Sequence, residues 1–378
     1  PPYPEFRSFK MTRRPSPSPL TALTRSGPAL LALSLMLGAC ASGERPAPAA
    51  PVMATLETPS VGTAGEDAAD DPAIWATATP ARIAGTTVNG FVAGTDKKAG
   101  LYIYGLDGAV LQFLPEGLLN NVDVVEGLIV DGRPQLVLGA SDRTVGRLGI
   151  ALFLFDPAST DADNAVRPWG HIATDVAEPY GFCFGRRDAG VDAILIGKDG
   201  EVRQYRLDVD AAGQPQTREL RRFAVGSISE GCAVDAAGDA LYIDQEDVAV
   251  WRYGFSPASG ATRQSVAAVD GTTLTDDLEG ATVLEDGDRR FLLVSSQGDS
   301  TFGVWRIDGP APVWAGRFRV VDGTVDGVSG TDGIDALGGP VGSAFPEGLV
   351  VVQDDVNDSG TQNFKYIDWR DIRTALGL

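Results

Sequence analysis

The sequence predicts an all-β fold, a six-bladed β-propeller, on three observations. A pattern of paired strands recurs six times after residue 50, each time opened by an acidic residue. Turn chemistry is abundant, with 46 glycines and many Asp-Gly pairs, as a hairpin-rich chain requires. No long segment spaces its apolar residues at the 3.6-residue period of an amphipathic helix. Self-similarity at this period marks a propeller or an array. In a propeller, equivalent positions of all blades face one axis.

The elements follow in order. The openers are Asp70-Asp71-Pro72, Asn121-Val122-Asp123, Glu178-Pro179-Tyr180, Ser229-Glu230-Gly231, Asp277-Leu278-Glu279 and Thr331-Asp332-Gly333-Ile334-Asp335. Second strands are expected at 91–93, 136–138, 193–196, 240–243, 291–294 and 349–352, each ending in a polar cluster. Aromatic-bearing third strands follow at 101–104, 151–155, 202–205, 248–251, 303–305 and 364–367. Fourth strands fit at 110–114, 169–173, 219–225, 264–269 and 313–320. The sixth repeat ends in a short helical tail without a fourth strand, which would leave an open sheet edge. The orphan segment Val52–Glu57 is expected to close that last blade, so the propeller domain is placed at 52–378.

Ahead of it, Arg13, Arg14 and Arg25 precede an apolar run over 28–37 and then Gly38-Ala39-Cys40. Basic residues, a short apolar stretch and small residues describe an export signal, too short for a spanning helix. Residues 1–40 are therefore read as a signal peptide, with residues 1–10 upstream of the natural start at Met11. Leu37-Gly38-Ala39-Cys40 resembles a bacterial lipobox and implies a lipid anchor at Cys40, hence an outer-membrane lipoprotein, periplasmic or extracellular. The Ala- and Pro-rich residues 41–51 read as a flexible tether. The formal charge of −20 becomes −24 once the five basic and one acidic residues of 1–40 are removed. Such a balance excludes electrostatic nucleic-acid binding. It also repels a free anion, unless metal ions invert the local field. Cys183 and Cys232 fall on inner strands of neighbouring repeats, and the sequence fits either a disulfide or two buried thiols.

Several chemistries lack their parts. His171 is the single histidine, so a His nucleophile or a His metal cluster is excluded. There is no Gly-x-Ser-x-Gly elbow, no phosphate-binding Gly-x4-Gly-Lys-Ser/Thr loop and no Cys-x5-Arg loop. What remains is oxygen ligands and a few cations. Asp71, Asp123, Glu230, Glu246, Asp277, Glu279, Asp326, Asp332 and Asp335 offer a carboxylate set from around the ring, and six to eight oxygens in a flexible cage suit Ca²⁺. Lys97, Lys98, Arg143 and Lys198 follow the second strands of three consecutive repeats. With only 26 basic residues after Cys40, that grouping predicts one phosphate-binding wall.

Ten strings, in order from residue 70 to 365, resemble the β-propeller phytases. Among them are Asp70-Asp71-Pro72-Ala73-Ile74-Trp75, Thr95-Asp96-Lys97-Lys98, Pro179-Tyr180-Gly181-Phe182, Gly197-Lys198-Asp199-Gly200, Leu278-Glu279-Gly280, Ser295-Ser296-Gln297-Gly298 and Gln362-Asn363-Phe364-Lys365. The resemblance implies a six-bladed phosphomonoester hydrolase that uses several Ca²⁺ ions to release phosphate from phytate, myo-inositol hexakisphosphate; the sequence gives no sign of an oligomer interface, and a monomer is expected. It implies that Lys97, Arg143, Tyr180 and Lys198 hold the scissile phosphate. Asp71, Glu230, Glu246, Asp277 and Glu279 would hold Ca²⁺, with Asp326 and Asp332 completing the metal-rich end and Gln297 near the substrate. Lys98 would serve a second phosphate pocket, and Glu230 would lie closest to the attacking water.

The chain departs from the family pattern in places. Gln245-Glu246 stands where two glutamates are frequent, and Gly330 where many relatives carry Asp. The loop Asp354–Asp358 also differs. A non-catalytic Ca²⁺-binding propeller would share the acidic positions without needing the cations. A metal-dependent lactonase or phosphodiesterase on a similar scaffold is the third reading.

Overall fold

The computed structural model describes residues 48–65, 67–358 and 360–378. The expected leader, Cys40 and residues 41–47 of the expected tether lie outside the described residues.

The six repeats form six sheets, and within each repeat the strands pair antiparallel in chain order. Their first strands are Ala69–Ile83, Leu119–Val130, Pro179–Arg187, Ser229–Asp235, Ala281–Asp286 and Ile334–Gly338. Each first strand packs on the next, and the last returns to the first, so the chain is a closed six-bladed propeller. Second strands read as unbroken apolar runs, such as Leu136-Val137-Leu138, Leu292-Leu293-Val294 and Leu349–Val352. All of these residues are buried, because neighbouring blades cover both faces.

The core is divided into six wedges, one per blade junction. Trp75 and Phe91 of the first blade meet Phe155 of the second. Equivalent clusters join blades two and three, three and four, four and five, five and six, and six and one. Each fully buried Leu, Val or Phe in such a wedge contributes about 1.5–3 kcal/mol. Cys183 and Cys232 lie in the wedge between blades three and four and form a disulfide, with Cα atoms 5.8 Å apart.

The N-terminal segment divides between two blades. Strand pairing starts at Ala50, inside the expected tether, where Ala50–Met53 runs parallel to Val313–Val321 at the outer edge of blade five. Leu56–Glu57 then pairs antiparallel with Asn363–Asp368 on the outer side of blade six. The tail is a helix over Trp369–Leu376. Asp368 caps it by accepting from the Arg370 amide, and Gly377 ends it at φ 69°. Trp369 and Ile372 bury its inner face against blades five and six. No helix among the described residues is long and apolar enough to cross a membrane.

Candidate active site

Two rings of side chains converge at one mouth of the propeller axis. The first ring comes from the start of each inner strand. In blades one to four the register slips there by one residue, between Ala69 and Pro72, Leu119 and Val122, Pro179 and Phe182, and Ser229 and Cys232. Such bulges re-aim a side chain out of the pleat. The residues re-aimed are Asp70, Asn120, Tyr180 and Glu230, and Glu279 and Asp332 stand at the same place in blades five and six. The next residue is Gly181, Gly231, Gly280 or Gly333 in four blades. Space demands it: a Cβ at Gly181 would fall 2.0 Å from the Glu230 carbonyl oxygen, and one at Gly333 would fall 2.3 Å from Asp71 Oδ1.

The second ring lies where each second strand ends: Lys97, Arg143, Lys198, Glu246, Gln297 and Asp355. One backbone bond per blade fixes it. These six amides donate to the carbonyls of Ala68, Leu118, Glu178, Ile228, Asp277 and Ser329, respectively, at 2.7–3.3 Å. Hydroxyls from the ends of the second strands brace the bulges. Thr95 Oγ1 accepts from the Asp71 amide, Ser141 Oγ from Asn121, and Ser295 Oγ from Gly280. In blade four that position is Asp244, fully buried with neither oxygen hydrogen-bonded, and burial holds its carboxyl well above the usual range.

The second ring is cationic over blades one to three and acidic or amide-bearing over blades four to six. Lys97 is buried and bridges the two arcs. Its Nζ lies 2.9 Å from Asp70, 2.9 Å from Asp332 and 2.8 Å from Asp67. Lys97, Lys98 and Arg143 line one cleft of about 430 Å³ together with Leu118, Val145 and Glu178. Asx turns hold its loops, with Asp96 accepting from the Lys98 amide and Asp142 from the Thr144 amide. Lys198 Nζ sits 4.6 Å above the Tyr180 ring, within cation–π range.

On the opposite side, carboxylate oxygens of Glu230, Glu246 and Glu279 lie within 4.8 Å of one another, all three residues buried. Glu230 accepts from Asn120 Nδ2 at 2.5 Å, and from the Asn121 amide at 2.8 Å once that group is turned to suit its neighbours. Burial raises the Glu246 carboxyl to about 7, helped by Glu230 and Asp277 and opposed by Lys198. Burial, followed by the charge of Asp70, pushes Glu230 upward, and burial, followed by the charge of Glu230, pushes Glu279 upward. The Tyr180 phenol is raised by burial and by the charges of Glu230 and Glu279. Glu246 Oε1 and Asp70 Oδ2 are buried without a hydrogen-bond partner. Clustered, under-satisfied carboxylates with raised pKa values fit a hard divalent cation such as Ca²⁺, whose charge would replace the missing donors.

Other expected site residues lie elsewhere or only nearby. Asp332 joins the rim through Lys97 and accepts from Gln297 Nε2. Asp277, half-exposed with φ 57°, raises the Glu246 pKa from beside it. Asp71 points into the channel and accepts from the Val122 amide at 3.0 Å. Asp123 accepts from the Phe184 amide at 2.7 Å, and Asp335 from the Ile74 amide at 2.7 Å. Asp326 belongs to a separate cluster in blade six, where it accepts from the fully buried Lys365, which also contacts Glu57 and Asp354. Asp70, Asn120 and Asn121 were not among the expected site residues. Aligning the repeats on the glycine after Tyr180, Glu230, Glu279 and Asp332 finds all three.

Comparison with known proteins follows this geometry. Residues 21–378 match the family model described as Phytase. A 3-phytase of Bacillus subtilis (strain 168) is 34% identical over 335 residues, spanning 86% of this chain and 85% of that protein. Among solved structures, the six-bladed lectin of Aleuria aurantia aligns at TM-score 0.45 and 11% identity, over 64% of this chain and 76% of the lectin.

Proposed function

Because the chain belongs to the phytase family, a family of enzymes, we propose that it is a Ca²⁺-dependent phosphomonoester hydrolase acting on phytate. Family membership rests on the match over residues 21–378 and on the 34% identity to the Bacillus subtilis 3-phytase. The observation that carries the Ca²⁺ dependence is the Glu230–Glu246–Glu279 cluster facing a cationic arc. A strongly acidic protein needs that pairing to host a polyphosphate, since the carboxylates alone would repel it.

Glu230, Glu246 and Glu279 would hold Ca²⁺, with Asp70 and Asp332 at the edge of the set. Bound there, the ion would set positive charge against the phosphate oxygens and acidify water. Lys97, Arg143 and Lys198 orient the phosphoryl group and oppose the charge that builds on its equatorial oxygens. Asp70 and Asp332 hold the Lys97 ammonium in place from two sides. Tyr180 presents its hydroxyl beside Glu230 and donates to a phosphate oxygen. Glu230, oriented by Asn120 and Asn121, receives at a carboxylate oxygen the proton released by the attacking water. Lys98, in the same cleft as Arg143, binds a neighbouring phosphate of the substrate. No side chain needs to form a covalent intermediate.

We further propose an exported, monomeric protein. The signal-like leader supports export, and the Cys183–Cys232 disulfide suits an oxidising compartment. Lipid anchoring at Cys40 is the corresponding proposal for attachment.

Phosphate release from phytate by the purified protein, with Ca²⁺ and then with excess chelator, tests the function. Release that chelator abolishes and Ca²⁺ restores supports it. Ca²⁺ binding without phosphate release would instead favour a non-catalytic propeller.

A further inference from the structure

Neighbouring inner strands are tied across the channel wall by polar contacts at four of the six junctions. Asp71 joins blades one and two, and Asp123 joins two and three. Thr282 Oγ1 donates to Asp335 at 2.8 Å between blades five and six, and Asp335 accepts from Ile74 between six and one. The tie between blades three and four is covalent, the Cys183–Cys232 disulfide. That junction is also where the cationic arc, ending at Lys198, meets the acidic arc, beginning at Glu246. The other seam between the arcs, from blade six to blade one, is pinned by the Lys97–Asp332 ion pair.

The disulfide stands directly under two site residues. Tyr180 precedes Cys183 by three positions, and Glu230 precedes Cys232 by two. Between them Gly181 rests against the Glu230 backbone, so the two strands touch at this level. Glu230 and Glu246 of blade four and Glu279 of blade five gather three carboxylates beside this junction. A covalent tie fixes the strand spacing just below them.

We propose that the Cys183–Cys232 disulfide is a positioning pair for the site, fixing the spacing between Tyr180 on blade three and Glu230 on blade four. The effect on phosphate release rests on the proposed function. The effect on Ca²⁺ affinity does not rest on catalysis.

The test compares the Cys183→Ser/Cys232→Ser double variant with Leu241→Ala, which removes core volume from the same wedge. Ca²⁺ affinity is read by titration calorimetry, and kcat and KM by phosphate release, on protein whose circular dichroism matches the wild type. Supports around a metal site are worth about 10–100-fold, so the double variant should lose about tenfold in Ca²⁺ affinity and in kcat. Leu241→Ala should melt earlier but keep both values. Reducing the folded wild type with a phosphine should reproduce the double variant, and this arm decides the matter if the variant does not fold. Wild-type affinity and kcat in the reduced or doubly substituted protein, whatever its melting temperature, would overturn the proposal. If the wild type binds Ca²⁺ yet releases no phosphate, the functional reading fails while the affinity arm still decides the disulfide's role.

Discussion

Two sets of carboxylates lie on the same inner strands, a few residues apart, and their surroundings differ completely. At the rim, Glu230 and Glu279, joined by Glu246, face one another, with Lys97 and two asparagine amides at the margin. In the channel wall below, Asp71, Asp123 and Asp335 each accept a backbone N–H from the next blade. Burial raises the pKa of both sets. In the wall the hydrogen bonds oppose that rise and tie blades together. At the rim, where Glu246 Oε1 has no partner, a cation can complete the set. A carboxylate that recurs in a repeat protein is thus no metal ligand by recurrence alone. What it faces decides.

The contrast predicts opposite phenotypes. On the rim side the largest expected effect is on catalysis. Arg143→Ala removes a charged donor from the phosphate cleft and should lower kcat about 10²–10³-fold, with the melting temperature unchanged. Away from the rim, and apart from the Cys183–Cys232 pair, substitutions should cost stability and leave kcat alone. Lys365→Met leaves the buried Asp354 and the partly buried Glu57 and Asp326 without their cation, a loss of about 3 kcal/mol by urea denaturation. Asp123→Ala leaves the Phe184 amide unpaired and should cost about 1–3 kcal/mol in the same assay. A large kcat defect in either variant would erase the distinction between the two regions.

The pH response should be smaller, and its sign is fixed. Glu246 and Asp123 are raised to about 7 in the metal-free chain. The folded state therefore binds protons that the unfolded state has already released. Stability is fully present below the ordinary carboxylate range and falls as pH rises toward about 7. Chelator-treated protein should accordingly melt at a lower temperature at pH 8 than at pH 5. Ca²⁺ should raise the melting temperature at pH 8 and do little at pH 5, where protons compete for its ligands.

Much of this was legible in the sequence. The strand period and the apolar second strands survive in order because both faces of each blade are buried. The cations Lys97, Arg143 and Lys198 stood out because they recur where second strands end. Three features were hidden. A bulge of one extra residue shifts the rim position in blade one from Asp71 to Asp70, and a simple strand alternation does not reveal it. The partner of Asp326 is Lys365, 39 residues away, so its neutralisation depends on the fold. Whether Cys183 and Cys232 join depended on how closely two inner strands approach.

Calorimetric titration of Ca²⁺ into chelator-stripped protein separates the two carboxylate sets most directly. Glu279→Gln should remove at least one binding transition seen in the wild type, while Asp123→Ala and Asp326→Asn should retain every one. A full set of transitions in Glu279→Gln, or their loss in Asp123→Ala, would place the metal in the channel wall and contradict its assignment to the rim.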